Sequence, residues 1–188
     1  MKKSRNLLIF IIIAAFAITL GVIQINKSSN KTEAAFLEKY GLNGLSVEEI
    51  VYSLDSTKSD PGELTSSITS EYLVLRDNSE EIKLDLPKVK FYLSFAPYIT
   101  QTHPCGTHSL SSCQGELVNQ TVNVIITDGK GNVIINSDMT TMENGFVGVW
   151  LPRNMNATVE VRYQGMTAQE IITTFSGSNT CLTTLQLS

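Results

Sequence analysis

The chain has 188 residues, 42% of them apolar and 17% charged, with a formal net charge of −4. That is enough for one domain or two small ones with a packed core, and it excludes a disordered chain. The charge is uneven: residues 1–34 hold five basic side chains against one acidic, and the remainder nine against seventeen. An acidic body argues against nucleic acid as a partner, because phosphates need a basic face.

The N-terminus sets the compartment. Met1-Lys2-Lys3-Ser4-Arg5 is positively charged, and Leu7 to Ile25 carries no charge. A run of roughly 17–25 apolar residues spans a bilayer, whereas a secretory core is usually shorter. Residues 1–27 therefore read as a signal peptide or a membrane anchor. No small-x-small cleavage site follows the run directly, and no cysteine follows it to carry lipid. In both cases the basic end stays in the cytoplasm, and the chain from about residue 28 lies outside it, in a periplasm or on the outer face of the membrane.

Residues 34–88 read as a small α+β domain. Ala34 to Leu42 is a short amphipathic helix stopped at Gly41 or Asn43-Gly44. Ser46-x-x-Glu49 is a capping box that opens a second helix to about Ser56, with Val47, Ile50, Val51 and Leu54 on one face. Such a stripe must be covered by the later sheet or by a second copy of the chain, so a homodimer is one expectation. Asp60-Pro61-Gly62 turns, and Tyr72–Arg76 with Glu81–Leu86 form a hairpin across Asp77–Glu80.

Residues 89–188 read as β-rich. Strands are expected at Phe91–Phe95, Leu117–Thr127 (with Val118, Val122, Val124 and Ile126 on one face), Val133–Asn136, Gly145–Pro152, Ala157–Tyr163, Met166–Phe175 and Thr180–Leu187. Regularly spaced short strands with turn signals between them define an antiparallel sandwich or open barrel. The fold class is thus mainly β, with a small α+β part before it. Trp150 is expected in the sandwich core. Met139, Met142, Met155 and Met166 are expected at core and rim. Asp128-x-Lys130-x-Asn132 fails as a calcium loop, because Lys130 takes a ligand position and no Glu closes it.

Both histidines and two of the three cysteines fall in one stretch: His103, Cys105, His108 and Cys113, with Cys181 far along the chain. Pro104 holds His103 extended, so His103 and Cys105 share a face, and Gly106 allows a bend that returns His108. Three readings stay open on these residues alone. One is a structural Cys105–Cys113 disulfide with Cys181 buried as a small hydrophobe, in a cell-surface β-module without metal. The second is a soft-metal site of thiolate and imidazole. The third is thiol oxidoreductase chemistry at a Cys105 activated by a neighbouring histidine.

Phe91–Cys113 (FYLSFAPYITQTHPCGTHSLSSC) with Gly115-Glu116-Leu117, the run from Asp128-Gly129-Lys130-Gly131-Asn132 through Asn144–Pro152, and Cys181-Leu182-Thr183-Thr184 together resemble the CueP family of extracytoplasmic copper-binding proteins. The resemblance implies a β-rich domain bearing the metal site, and a helical and hairpin part that supports dimerisation. It implies Cys105, Cys113 and Cys181 as the thiol set, with His103 and His108 beside them. It further implies copper resistance and copper delivery, with reduction of copper(II) by the thiols. Family members typically carry a cleaved leader, and the long apolar run here departs from that. The expected cargo is copper, with zinc as a surrogate on the same donors. The expected partners are a copper-recipient protein, a thiol reductant and, through the N-terminal segment, the membrane.

Overall fold

A computed structural model describes residues 31–56 and 63–188. The apolar run at 7–25 and the Asp60-Pro61-Gly62 turn lie outside the described residues. Among the described residues no helix is long and apolar enough to cross a membrane. The chain divides into two compact units, Met1–Gly44 and Leu45–Ser188.

In the first unit the described residues form helix α1 over 31–39, which ends where Gly41 takes φ +69°. Leu42 N–H donates to the Leu37 carbonyl at 2.8 Å, closing the helix end as the glycine signal predicts.

The second unit opens with helix α2, Val47–Asp55, on the capping box read from the sequence. Glu49 N–H donates to Ser46 Oγ at 3.3 Å, and Ser46 N–H donates to Glu49 Oε2 at 2.7 Å. Among the described residues eleven strands follow: β1 Thr65–Ile68, β2 Tyr72–Arg76, β3 Glu81–Asp85, β4 Lys90–Phe95, β5 His108–Ser109, β6 Thr121–Asp128, β7 Val133–Thr140, β8 Val147–Pro152, β9 Asn156–Tyr163, β10 Met166–Thr173 and β11 Cys181–Leu182. The architecture is mainly β, as the patterning implied. The β2–β3 hairpin pairs Tyr72 with Asp85 and Arg76 with Glu81. Asp77 Oδ1 holds its turn by accepting from the N–H groups of Ser79 and Glu80.

Three sheets result, ordered β3-β2-β1-β5, β10-β9-β6-β7 and β11-β4-β8. The last two enclose the main core. Phe91, Leu93 and Phe95 of β4 and Val147, Val149 and Leu151 of β8 meet Val122, Val124 and Ile126 of β6 and Val159 and Val161 of β9. Strict alternation makes this work, since a strand sends every second side chain to one face.

Two expectations are corrected. Trp150 is out of phase with Val149 and Leu151, so it leaves the sandwich core and packs at a tilt against Tyr92 with ring centroids 4.9 Å apart. Val118 precedes β6 and is exposed, because pairing begins only at Thr121. A third difference concerns direction. β11 pairs with β4 in parallel, Cys181 beside Ser94 and Leu182 beside Phe95, and regular pairing stops there although Thr180–Leu187 reads as one strand. The chain leaves β10 through Gly177 and crosses to the other sheet, so no hairpin constrains it to run antiparallel.

Between β7 and β8 the chain makes a tight turn, Met142 N–H donating to the Phe146 carbonyl at 2.8 Å and Gly145 N–H to the Met142 carbonyl at 2.9 Å. Gly145 has φ +80°, and a Cβ there would lie 2.5 Å from the Gly115 carbonyl oxygen. Neither backbone can yield, so only glycine fits. Gly145→Ala is expected to cost about 1–3 kcal/mol from the left-handed backbone alone, read as a lower midpoint in urea unfolding with an unchanged m-value.

Candidate metal centre

Three segments of the second unit converge on the thiols. The first is the loop 102–113, whose end is fixed by β5. Because β5 pairs with β1, Ile68 beside His108 and Ser67 beside Ser109, His108 is locked to the edge of the hairpin sheet. The second is β11, which carries Cys181 on the flank of β4. The Gly106 carbonyl ties the two together by accepting from Thr180 N–H at 3.0 Å and Cys181 N–H at 3.2 Å. Thr180 adds a clasp, its Oγ1 accepting from His108 N–H at 3.0 Å and donating to the Ile68 carbonyl at 2.6 Å. The third segment is the 142–146 turn, which lays Phe146 against the site 4.7 Å from the His108 ring and 6.3 Å from the His103 ring.

All five residues singled out in the sequence are thereby brought together. His103, Cys105 and Cys113 offer donor atoms within 4.8 Å of one another, and His108, Cys113 and Cys181 do the same. Cys113 belongs to both sets. The three cysteines are free, and Cys105 Sγ stands 3.6 Å from Cys113 Sγ, well beyond a bonded S–S distance. Ala96, Cys113, Phe146 and Cys181 form a small apolar cluster against which Cys105 and Met142 pack. His103 and Cys105 are half-buried, whereas Cys113, Cys181 and His108 are buried, so the cluster has an outer and an inner side.

The electrostatics single out Cys113. Its thiol is held down to about 3, first by the neighbouring Cys181 S–H and then, against the opposing effect of burial, by His108 and His103. Burial pushes the Cys105 thiol up to about 11, and its Sγ donates to the Thr107 carbonyl. Cys181 is raised from its ordinary range, chiefly as hydrogen-bond donor to Cys113. Burial works against a charged His108, but Asp55 and the Cys113 sulfur outweigh it and raise the imidazole to about 9. Cys113 is thus the acidic sulfur of the cluster, flanked by two thiols held above their ordinary range.

Sequence reading missed Asp55, the last residue of α2. It is completely buried, and its Oδ1 lies 2.7 Å from His108 Nε2. A signal existed: a carboxylate in the last turn opposes the helix dipole, and here it sits one turn after Val51 on the apolar face. Two buried ring nitrogens have no hydrogen-bond partner, His103 Nε2 and His108 Nδ1. An orphaned buried nitrogen is costly unless it serves a ligand. Thiolates and imidazoles without a carboxylate among the donors suit a soft or borderline metal ion, and a magnesium or calcium ion poorly.

A β-sandwich presenting a soft Cys/His cluster in a shielded loop is therefore a metal-binding protein in form. The chain matches the family model described as "Periplasmic copper-binding protein CueP" over residues 49–186, and it belongs to the CueP family. It is also similar to a solved structure, "Crystal Structure of S.CueP", at 52% identity and a TM-score of 0.80, covering 83% of this chain and 97% of that one. No curated protein matches significantly.

The approach to the cluster is braced by Glu116, whose carboxylate accepts from the N–H groups of Ile99, Thr100 and Gln101 and from Thr100 Oγ1. These bonds, Thr100 Oγ1 foremost, hold its carboxyl down to about 2. A depressed carboxylate stabilises the fold above its ordinary range, and that contribution is lost as pH falls from 4.5 towards about 2. Glu116→Gln should therefore lower the melting temperature at neutral pH, and the gap to the parent should close across that acid window in a thermal-melt series.

Proposed function

We propose that this protein is an extracytoplasmic copper-binding protein that holds copper(I) on Cys105, Cys113 and Cys181 with His103 and His108, buffers it and delivers it to a recipient protein. The observation that carries this reading is the convergence of three free thiols, two from one loop and one from far along the chain, with two orphaned imidazole nitrogens beside them. Copper(I) is soft and takes thiolate and imidazole donors. Membership of a family described as copper-binding and periplasmic supports the same reading. Cys113, already a thiolate, is the first donor. Cys105 and Cys181 must shed protons to follow, so binding releases protons and tightens as pH rises.

A second reading, that the thiols also reduce copper(II), is favoured by the 3.6 Å separation of Cys105 and Cys113. Forming their S–S bond releases two electrons, which convert two copper(II) ions to copper(I) as the remaining thiol proton leaves. A dithiol reductant partner would reset the pair.

Competition between the reduced protein and a chromophoric copper(I) chelator tests the first reading. The parent should withdraw copper(I), and a variant with all three cysteines changed to serine should not; equal competition by both would sink it. For the second, thiol counting should give three before copper(II) is added and one after two equivalents. A count that stays at three would remove the reductase reading and leave the binding one standing.

A further inference from the structure

We infer that Asp55 is the positioning residue of the metal centre: it takes the Nε2–H of His108 and so commits that histidine to ligate through Nδ1. The inference rests on the copper-binding reading for its purpose, and on hydrogen-bond chemistry for its content.

Asp55 Oδ1 receives Asn144 Nδ2–H at 2.7 Å and lies 2.7 Å from His108 Nε2. Its Oδ2 receives the Tyr92 hydroxyl at 2.6 Å and Ser94 Oγ at 3.3 Å. Asn144 Nδ2 also donates to the Asp55 backbone carbonyl at 2.7 Å, so one amide clamps the side chain to its own main chain. An amide nitrogen can only donate, which makes Oδ1 an acceptor. A bare acceptor at 2.7 Å requires that the facing ring nitrogen carry the proton. Nε2 is therefore N–H, and the nitrogen left for a metal is Nδ1, which is buried without a partner. A carboxylate on the far nitrogen of a metal-ligating histidine fixes its ring and raises its basicity.

The rest of the fold is shaped to make this acceptor. Tyr92 and Ser94 are the residues of β4 that face away from the sandwich core, alternating with Phe91, Leu93 and Phe95. Gly148 of β8, paired with Ser94, leaves room for the Tyr92 ring; a Cβ there would fall 1.9 Å from the Tyr92 hydroxyl oxygen. Burial, and then the adjacent Asp55 carboxylate, push that hydroxyl well above its ordinary range, so it stays a donor. Asn144 stands in the turn that Gly145 permits, next to Phe146 on the His108 ring. Three donors, two from β4 and one from the 142–146 turn, thus converge on one carboxylate whose remaining contact is the histidine.

The test is a double-mutant cycle on the full chain, using copper(I) and a chromophoric chelator as the probe. Asp55→Asn should weaken copper(I) binding by about 10- to 100-fold, and the same change in a His108→Ala background should cost nothing further. Imidazole nitrogen NMR of the parent supplies a readout that fold damage would not mimic. His108 should show a slowly exchanging Nε2–H in the apo protein, and a metal-shifted Nδ1 after loading. Asp55→Asn binding as tightly as the parent, an undiminished loss in the His108→Ala background, or metal on Nε2 would each overturn the inference. If Asp55→Asn does not fold, the NMR of the parent decides alone. Should the parent take no copper(I), the binding reading falls by itself, while the apo Nε2–H still tells whether Asp55 sets the ring.

Discussion

One carbonyl group governs the centre. Gly106 sits in the loop between Cys105 and Cys113, and its oxygen accepts from both Thr180 and Cys181. That pair of hydrogen bonds joins the loop with its four soft donors to the segment that carries Cys181. The anchoring has a steric condition, since a Cβ on Gly106 would approach Asn179 Oδ1 at 3.3 Å. The parallel pairing of β11 with β4 then keeps Cys181 buried. The donor geometry thus depends on sheet hydrogen bonding, which is stiffer than any loop contact.

Beneath the thiols lies a charged interior that needs its own account. Burying a carboxylate, an imidazole and a thiolate together is expensive, and such a group survives only when its polar atoms are satisfied. Here Asp55 is matched by Tyr92, Ser94, Asn144 and His108, while the Ser109 N–H lies 3.4 Å from Cys113 Sγ. The conspicuous exceptions are the two ring nitrogens that face the sulfurs. Satisfaction everywhere except at the ligand-facing atoms distinguishes a built site from a packing accident.

How much of this was legible in the sequence follows from distance along the chain. The capping box at Ser46 and Glu49 and the alternation of the hairpin are local, and both appear as read. The cysteines and histidines were legible because of their side-chain chemistry. β1 was missed because Thr65-Ser66-Ser67-Ile68 carries almost no apolar alternation, and β5 because two residues give no period at all. Asp55 was missed because its partners lie between 37 and 89 positions away. The parallel direction of β11 was likewise set by a neighbour remote in sequence. Trp150 shows the opposite case: its strand was found, but one residue of phase decided which face it took.

The scattering of the donors has a thermodynamic corollary. Cys113 and Cys181 are 68 positions apart, and Asp55 is 53 from His108. An unfolded chain offers at most the 103–113 segment to a metal, so any ion that prefers the assembled centre pulls the folding equilibrium towards the native state by mass action. A bound copper ion would then act as a clamp across the domain. Its loss would leave a looser protein, and the melting temperature would report occupancy as directly as any colorimetric assay.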